Sequence, residues 1–245
     1  MIARVGSIAL GVIADSLRRK VVYVIVFFAG LLALAIPSLP DYGVGVQAAV
    51  FREVALALSY ITALVVALSL AANRVPGEVE RRTVYNVLSK GVGRAEYLIG
   101  TWVGMFGVIA GSVAAFTAIE QIVALITYQD AMWRLWQGAL SIALEMGVVA
   151  AIAVAVSTVT GPVVVVTASL ALLFAGHARS TLVGGEGALA LKPLYPSLDA
   201  FNIVNPVAHG SGVPATYVAG MLAVFVGLTG LALVIGVVLF SQRDL

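Results

Sequence analysis

The side chains that could carry out chemistry are few in this sequence, and their spacing excludes most types of active site. The chain contains no cysteine, so it has no thiolate nucleophile and no thiolate metal ligand. None of its three lysines (Lys20, Lys90 and Lys192) follows a glycine, whereas a phosphate-binding loop requires Gly-Lys-Ser/Thr. His177 and His209 lack a metal-ligand pattern, and neither Gly-x-Ser-x-Gly nor His-Glu-x-x-His occurs. We therefore expect no catalytic residue, no metal site and no bound cofactor in this chain.

The elements that position the remaining polar residues are apolar segments of membrane-spanning length. The chain is 61% hydrophobic and 11% charged, whereas soluble domains are about half apolar and a quarter charged. A hydrocarbon core about 30 Å thick is crossed by about 20 helical residues. We predict an all-α polytopic membrane protein with one transmembrane domain over 1–245 and six spans, at 21–36, 53–72, 97–127, 131–157, 163–176 and 214–240. The fifth segment is short for a full crossing and could re-enter the membrane instead.

Three further segments flank these spans. Residues 4–19 are amphipathic: Arg4, Ser7 and Asp15 recur on one side, and Ile8 and Val12 lie opposite. This pattern is typical of an entry helix on the membrane surface, although it could also be an extension of the first span. The other two segments are a charged loop at 73–96 and a proline-containing loop at 177–213.

Glu145 is the ionisable residue that the sequence places deepest in a span. It follows Trp133 by about twelve residues, which at ~1.5 Å per residue puts it ~18 Å from the interface that this tryptophan marks. Ionisable groups inside a membrane are candidates for function. Its carboxyl group is either protonated, because burial disfavours the charged form, or it faces a watery cavity. A cavity or substrate role and a neutral hydrogen bond between helices both remain open. Glu120, in contrast, is expected near the outer interface, where it costs little.

Lysine and arginine residues divide unevenly between the two sides that six spans define. Ten of the fourteen fall on the side of both termini, and the other four are Arg52, Arg134, Arg179 and Lys192. Because positive charge is enriched in cytoplasmic loops, we predict that both termini and the 73–96 loop are cytoplasmic and that 177–213 is extracytoplasmic. The net charge of +2 is too small to indicate a nucleic-acid partner.

The 73–96 loop and the opening of the next span carry a recognisable pattern. It comprises two acidic residues, an Arg-Thr pair, a Leu-Ser-Lys run, an arginine, and an aromatic residue three places before a glycine: Glu78, Glu80, Arg82, Thr83, Leu88, Ser89, Lys90, Arg94, Tyr97 and Gly100. This pattern resembles the cytoplasmic loop of ABC-2 type permeases, the membrane subunits of one class of ABC exporters. The order of elements and the carboxyl end at 240–245 are also similar to that family. Gly91 stands where the family usually has proline, and Thr101 where it has lysine.

The resemblance implies a partner and a mechanism. Two soluble ATPase subunits, which bind ATP and Mg²⁺, would dock on a pair of permease chains in the inner (plasma) membrane of a prokaryote. The second permease chain would be identical or similar to this one. A coupling helix in the loop would transmit ATPase motion to the spans, so that a substrate leaves the cytoplasm or the inner leaflet. The residues implied in docking are Glu78, Glu80, Arg81, Arg82, Thr83, Val84, Val87 and Leu88.

The residues themselves allow a docking helix but do not require one. Residues 78–89 fit a short amphipathic helix with an apolar strip and charges of both signs, which suits docking of a soluble partner. The alternative is that the five basic residues of the 73–96 loop merely fix the membrane topology and bind lipid headgroups. On the third segment, Gly100, Gly104, Gly107 and Gly111 form two Gly-xxx-Gly pairs, which would let helices approach closely.

Two other functions stay open alongside the permease. The chain could be a mechanotransmitter that couples a cytoplasmic ATPase to an extracytoplasmic partner without moving a substrate. It could also be an ion-coupled carrier, which would require several ionisable groups near the membrane midplane and an internal repeat. Only Glu145 meets the first requirement in the sequence, and no repeat is visible. The carrier is therefore the least favoured.

Overall fold

Helices form all the regular secondary structure of the part of the chain that the structure describes. The computed structural model describes residues 2–19, 21–35, 44–74, 92–177 and 198–242. No strand occurs within these ranges, so the all-helical prediction is confirmed for them. The helices are α1 (Ile2–Arg19), α2 (Val21–Ala35), α3 (Val44–Asn73), α4 (Arg94–Tyr128), α5 (Leu135–Ser157), α6 (Pro162–His177), a 3₁₀ turn (Asp199–Phe201), α7 (Val204–Ala208) and α8 (Ala215–Ser241).

Four of these helices are long and apolar enough to cross a membrane, namely α3, α4, α5 and α8. They contain most or all of the second, third, fourth and sixth predicted spans, and α3 begins at Val44, ahead of the predicted 53–72. The helices α2 and α6 occupy the places of the first and fifth predicted spans, but their apolar stretches are shorter. The 16 residues of α6 rise about 24 Å at 1.5 Å per residue, less than the ~30 Å of a hydrocarbon core. The protein thus has four candidate membrane-spanning helices.

The centre of the bundle is α5. In its most apolar stretch 83% of the residues are buried, compared with 17% for α8. Small residues along α5 permit this close packing: the Trp102 indole of α4 donates a hydrogen bond to the carbonyl of Gly147 (3.0 Å). A Cβ at Gly147 would lie 2.7 Å from the Phe106 ring. Because α3, α4, α6 and α8 all pack on α5, polar residues on α5 are withdrawn from the outer surface.

The amphipathic helix α1 runs alongside the beginning of α4. The contact positions advance together along both helices, since Ile8 lies against Gly100 and Val12 against Gly104. Ala9 and Val12 are buried in this contact, whereas Arg4 and Ser7 are exposed. The apolar face that the sequence indicated on α1 therefore covers α4.

The carboxyl end of α8 is attached to the amino end of α4. The Arg94 guanidinium donates hydrogen bonds to the carbonyls of Phe240 (3.0 Å) and Ser241 (2.7 Å). These carbonyls belong to the last turn of a helix and have no partner within it. The same guanidinium lies over the Phe240 ring, and Tyr97 stacks against that ring.

Part of the predicted 177–213 loop is helical and packs inside the bundle. The chain returns at Leu198 directly beside the end of α6, where the Leu198 amide donates to the carbonyl of Gly176 (3.4 Å). The Ser141 hydroxyl of α5 then donates to the carbonyl of Phe201. The 3₁₀ turn contacts α5 and α8, and α7 contacts α3 and α5. Residues 198–208 thus continue beyond the place where the short helix α6 stops.

Candidate functional site

Glu145 lies in the middle of α5 and is almost completely enclosed by protein, with 2% of its surface exposed. Its Oε1 atom accepts a hydrogen bond from the Tyr60 hydroxyl of α3 (2.8 Å). Tyr60 is the single tyrosine of the second predicted span, and its hydrogen bond to Glu145 is not among the sequence-based predictions. The signal was present, because a buried carboxyl group needs a donor and few residues of that span carry one.

His177, the last residue of α6, provides the second contact of the same carboxyl oxygen. Its Nε2 atom lies 3.5 Å from Glu145 Oε1, and its Nδ1 atom lies 3.3 Å from the carbonyl of Leu173. A carbonyl oxygen only accepts, so a hydrogen bond at this contact requires a proton on Nδ1, and Nε2 faces the carboxyl group. The pair therefore holds either a carboxylate beside an imidazolium or a carboxylic acid beside a neutral imidazole. The sequence does not indicate that His177 meets Glu145. The distance between them is set by the packing of α6 on α5, which local pattern does not predict.

A cavity of about 410 Å³ lies beside this carboxyl group and is open on one side. Its walls are mainly apolar side chains from α3 and α5, and the returning segment 201–204 closes one side. Both roles left open for Glu145 thus correspond to its position: it lines a cavity and it accepts a hydrogen bond between helices. The lining residues are Leu56, Ala57, Tyr60, Ile61, Gly138, Ser141, Ile142, Glu145, His177, Phe201, Asn202, Ile203 and Val204.

Glu120 on α4 is a second enclosed carboxyl group, with 0% exposure. Its Oε1 atom accepts a hydrogen bond from the Ser59 hydroxyl (2.6 Å), whereas its Oε2 atom has no partner among the described residues. Glu120 was expected near the outer interface, where a carboxyl group costs little free energy, but in the structure its carboxyl group is enclosed by protein. Distance along a helix predicts depth but not the face on which a residue lies, and Glu120 is on the face of α4 that packs against α3.

The residues implied in ATPase docking lie outside the described residues, since the structure does not describe 75–91. Both flanks of this segment contact α1. Arg74, directly after α3, pairs with Asp15 of α1 at 2.8 Å. Glu96, in the first turn of α4, pairs with Arg4 of α1 at 3.6 Å.

The four glycines of α4 face two different environments. A Cβ atom at Gly100 would lie 2.9 Å from Ile8, and one at Gly104 would lie 2.6 Å from Val12. At Gly107 the nearest atom, 3.2 Å away, belongs to Ile13, and at Gly111 nothing lies within 4 Å. The helix that packs closely against Gly100, Gly104 and Gly107 is therefore α1, which is not one of the four candidate membrane-spanning helices.

Within the described ranges, no group of three or more histidine, aspartate or glutamate side chains could hold a metal ion. In comparisons with known proteins, no protein-family model matches this sequence and no curated protein is significantly similar to it. Function must therefore be inferred from the loop pattern and from the geometry of these sites.

Proposed function

We propose that this chain is the permease subunit of an ATP-driven exporter of the ABC class. It would act with two separate ATPase subunits, which supply ATP and Mg²⁺, and with a second permease chain. The single observation that best supports this proposal is the attachment of α1 to both flanks of the 75–91 segment, through Asp15–Arg74 and Arg4–Glu96. A soluble partner docked on 75–91 would thereby act on three helices at once.

Close packing gives this end of the bundle the means to transmit motion. The glycines of α4 let the Ile8 and Val12 side chains of α1 lie directly against its backbone, and densely packed interiors transmit strain. Arg94 joins the same end of α4 to the last carbonyls of α8. Displacement of 75–91 would therefore move α1, α4 and α8 together relative to the centre of the bundle at α5.

The proposed topology has six crossings and two cytoplasmic termini, in the inner membrane of a prokaryote. Two of these crossings would use α2 and α6, which are shorter than the four candidate membrane-spanning helices, and residues 198–208 would extend the path of α6. The positions of the described arginines agree with this topology. Arg4, Arg74 and Arg94 belong to the end formed by α1 and the start of α4. At the other end, Arg52 binds the carbonyl of Ala208 (3.1 Å) and pairs with Asp130 (3.4 Å).

The cavity beside Glu145 favours a transport role over a purely mechanical one. A mechanotransmitter needs stiff helices but has no use for a ligand-sized cavity lined by a carboxyl group. An ion-coupled carrier is the second candidate, because Glu120 adds a second enclosed carboxyl group to Glu145. Transport in proteoliposomes separates the two: an ATP-driven exporter requires the ATPase subunits, whereas an ion-coupled carrier transports with a pH gradient alone.

The test of docking is the double substitution Glu80→Ala and Arg81→Ala. Neither residue lies in a candidate span, so we expect membrane insertion to persist while co-purification with the candidate ATPase falls more than tenfold. Loss of one partner of a desolvated interfacial charge pair costs about 2–5 kcal/mol. The matched control is Arg243→Ala with Asp244→Ala, which removes one charge of each sign from the carboxyl end. Unchanged association together with unchanged transport in the Glu80/Arg81 variant would reduce the loop to a topological anchor.

A further inference from the structure

We propose that the cavity beside Glu145 binds a hydrophobic organic cation, with the carboxylate of Glu145 as its counter-ion. The proposal deepens the proposed function, because it names the class of molecule that such a permease would export. Binding itself requires no ATPase, so the site can be tested on this chain alone. Three features of the cavity carry the inference: its apolar walls, its charge and its free carboxyl oxygen.

The walls select for apolar character. Leu56, Ile61, Ile142 and Ile203 contribute hydrocarbon surface, and the volume of about 410 Å³ lies within the ~300–1,000 Å³ range of small-molecule pockets. Ser141, which also lines the cavity, uses its hydroxyl to bind the backbone of Phe201. The occupant would therefore gain most of its binding energy by removing apolar surface from water.

The charge of the cavity selects for a cation. Glu145 is its only acidic residue, and no lysine or arginine occurs among the lining residues that the structure describes. The basic group among these described lining residues is His177, whose Nδ1 lies 3.3 Å from the carbonyl of Leu173. A ligand cation at the Oε2 side would favour the carboxylate form of Glu145, which burial alone disfavours. An anionic ligand would instead place two like charges in an apolar space.

The carboxyl group also has an oxygen available for a ligand. Both contacts from Tyr60 and His177 are made to Oε1, and no described residue donates a hydrogen bond to Oε2. Tyr60 and Phe201 add aromatic rings to the wall, and the faces of such rings attract cations. Together these groups offer a negative oxygen and aromatic surface within one apolar cavity.

The test measures binding of tetraphenylphosphonium to the purified chain in lipid nanodiscs by equilibrium dialysis, with binding to empty nanodiscs subtracted. Saturable binding to the wild-type chain is expected. Tetraphenylborate, an anion of similar shape, should show none. Glu145→Gln removes the charge and should weaken binding roughly tenfold or more. The matched control is Glu120→Gln, which neutralises an enclosed carboxyl group outside the cavity lining and should leave affinity unchanged.

A second variant keeps the proposal testable if Glu145→Gln fails to fold. Ala57 lines the cavity and is not buried by other side chains, so Ala57→Phe should occupy part of the space and reduce binding while the carboxyl group is retained. The proposal would be overturned if the wild-type chain showed no saturable binding or bound tetraphenylborate equally well. It would also be overturned if a neutral detergent displaced bound tetraphenylphosphonium as effectively as unlabelled tetraphenylphosphonium does, or if folded Glu145→Gln kept full affinity. Because no ATPase is present, these outcomes are independent of the co-purification test of the permease function.

Discussion

Two consecutive hydroxyl residues of α3 connect it to two different helices. Ser59 donates to Glu120 on α4, and Tyr60 donates to Glu145 on α5. Successive residues of an α-helix point about 100° apart, so neighbours in sequence can reach separate partners. In a membrane interior, where water does not compete, such pairs fix the orientation of α3 between α4 and α5.

Removing the Tyr60 hydroxyl should destabilise the protein. In Tyr60→Phe the ring still packs but Glu145 loses its hydroxyl donor, and an enclosed polar group left unpaired costs about 1–3 kcal/mol. We expect a lower Tm in detergent. Tyr23→Phe is the matched control, because Tyr23 is 76% exposed and should tolerate the change. Equal Tm values for the two variants would mean that the Tyr60–Glu145 hydrogen bond contributes nothing to stability.

At the scale of elements, the packing of α1 along α4 depends on the absence of side chains at particular turns. Gly100 and Gly104 let the α4 backbone approach α1, and Gly104 also lies under the carbonyl of Ala9, which would be 2.8 Å from a Cβ atom there. Backbone atoms cannot rotate away as a flexible side chain can. The contact is therefore sensitive to a single methyl group.

Alanine at two glycines of α4 should have opposite effects on stability. Gly104→Ala places Cβ 2.6 Å from Val12, and overpacking of this kind costs about 1–3 kcal/mol. Gly111→Ala meets no atom within 4 Å and should gain up to about 1 kcal/mol, because alanine favours the helix more than glycine does. Thermal unfolding of both variants measures the difference. A Gly104→Ala protein as stable as Gly111→Ala would show that α1 is not held closely against α4.

At the scale of the whole molecule, the charged residues mark two ends of the bundle. One end joins α1, the end of α3, the start of α4 and the end of α8, through Asp15–Arg74, Arg4–Glu96 and Arg94. The opposite end joins the start of α3 to the α4–α5 turn through Arg52–Asp130. Gln137 of α5 and Val213, just before α8, exchange two hydrogen bonds at that same end. A membrane would lie between these ends.

This polarity, together with the proposed six crossings, predicts the topology. A reporter fused after Leu245 should be cytoplasmic, and a tag inserted at Gly185 should react with an impermeant label applied to intact cells. The reason is the ten-to-four division of lysine and arginine residues between the two sides. Labelling at Gly185 only after the cells are permeabilised would remove the crossing assigned to α6.

The sequence by itself determined the elements that depend on local pattern. Apolar runs predicted α4, α5 and α8 nearly to their ends and the carboxyl end of α3, because a backbone in lipid must satisfy its own hydrogen bonds and a helix does so within one segment. The amino end of α3 lies at Val44, before the predicted start at 53, because Arg52 and Glu53 interrupt the apolar run. The amphipathic pattern of residues 4–19 predicted a helix with an apolar side, but not that Ile8 and Val12 on that side would pack against α4. The shortness of 163–176 likewise anticipated that α6 would fall short of a full crossing.

Only the tertiary structure decided which residues meet. The contacts Tyr60–Glu145, His177–Glu145 and Ser59–Glu120 depend on the rotation and offset of packed helices, and the residues that set these are far apart in sequence. In an almost uniformly apolar chain, many rotations of a helix bury equal hydrocarbon area, so the pattern does not choose among them. Small residues and paired polar groups make that choice, which is why the cavity beside Glu145 becomes visible only when the helices are assembled.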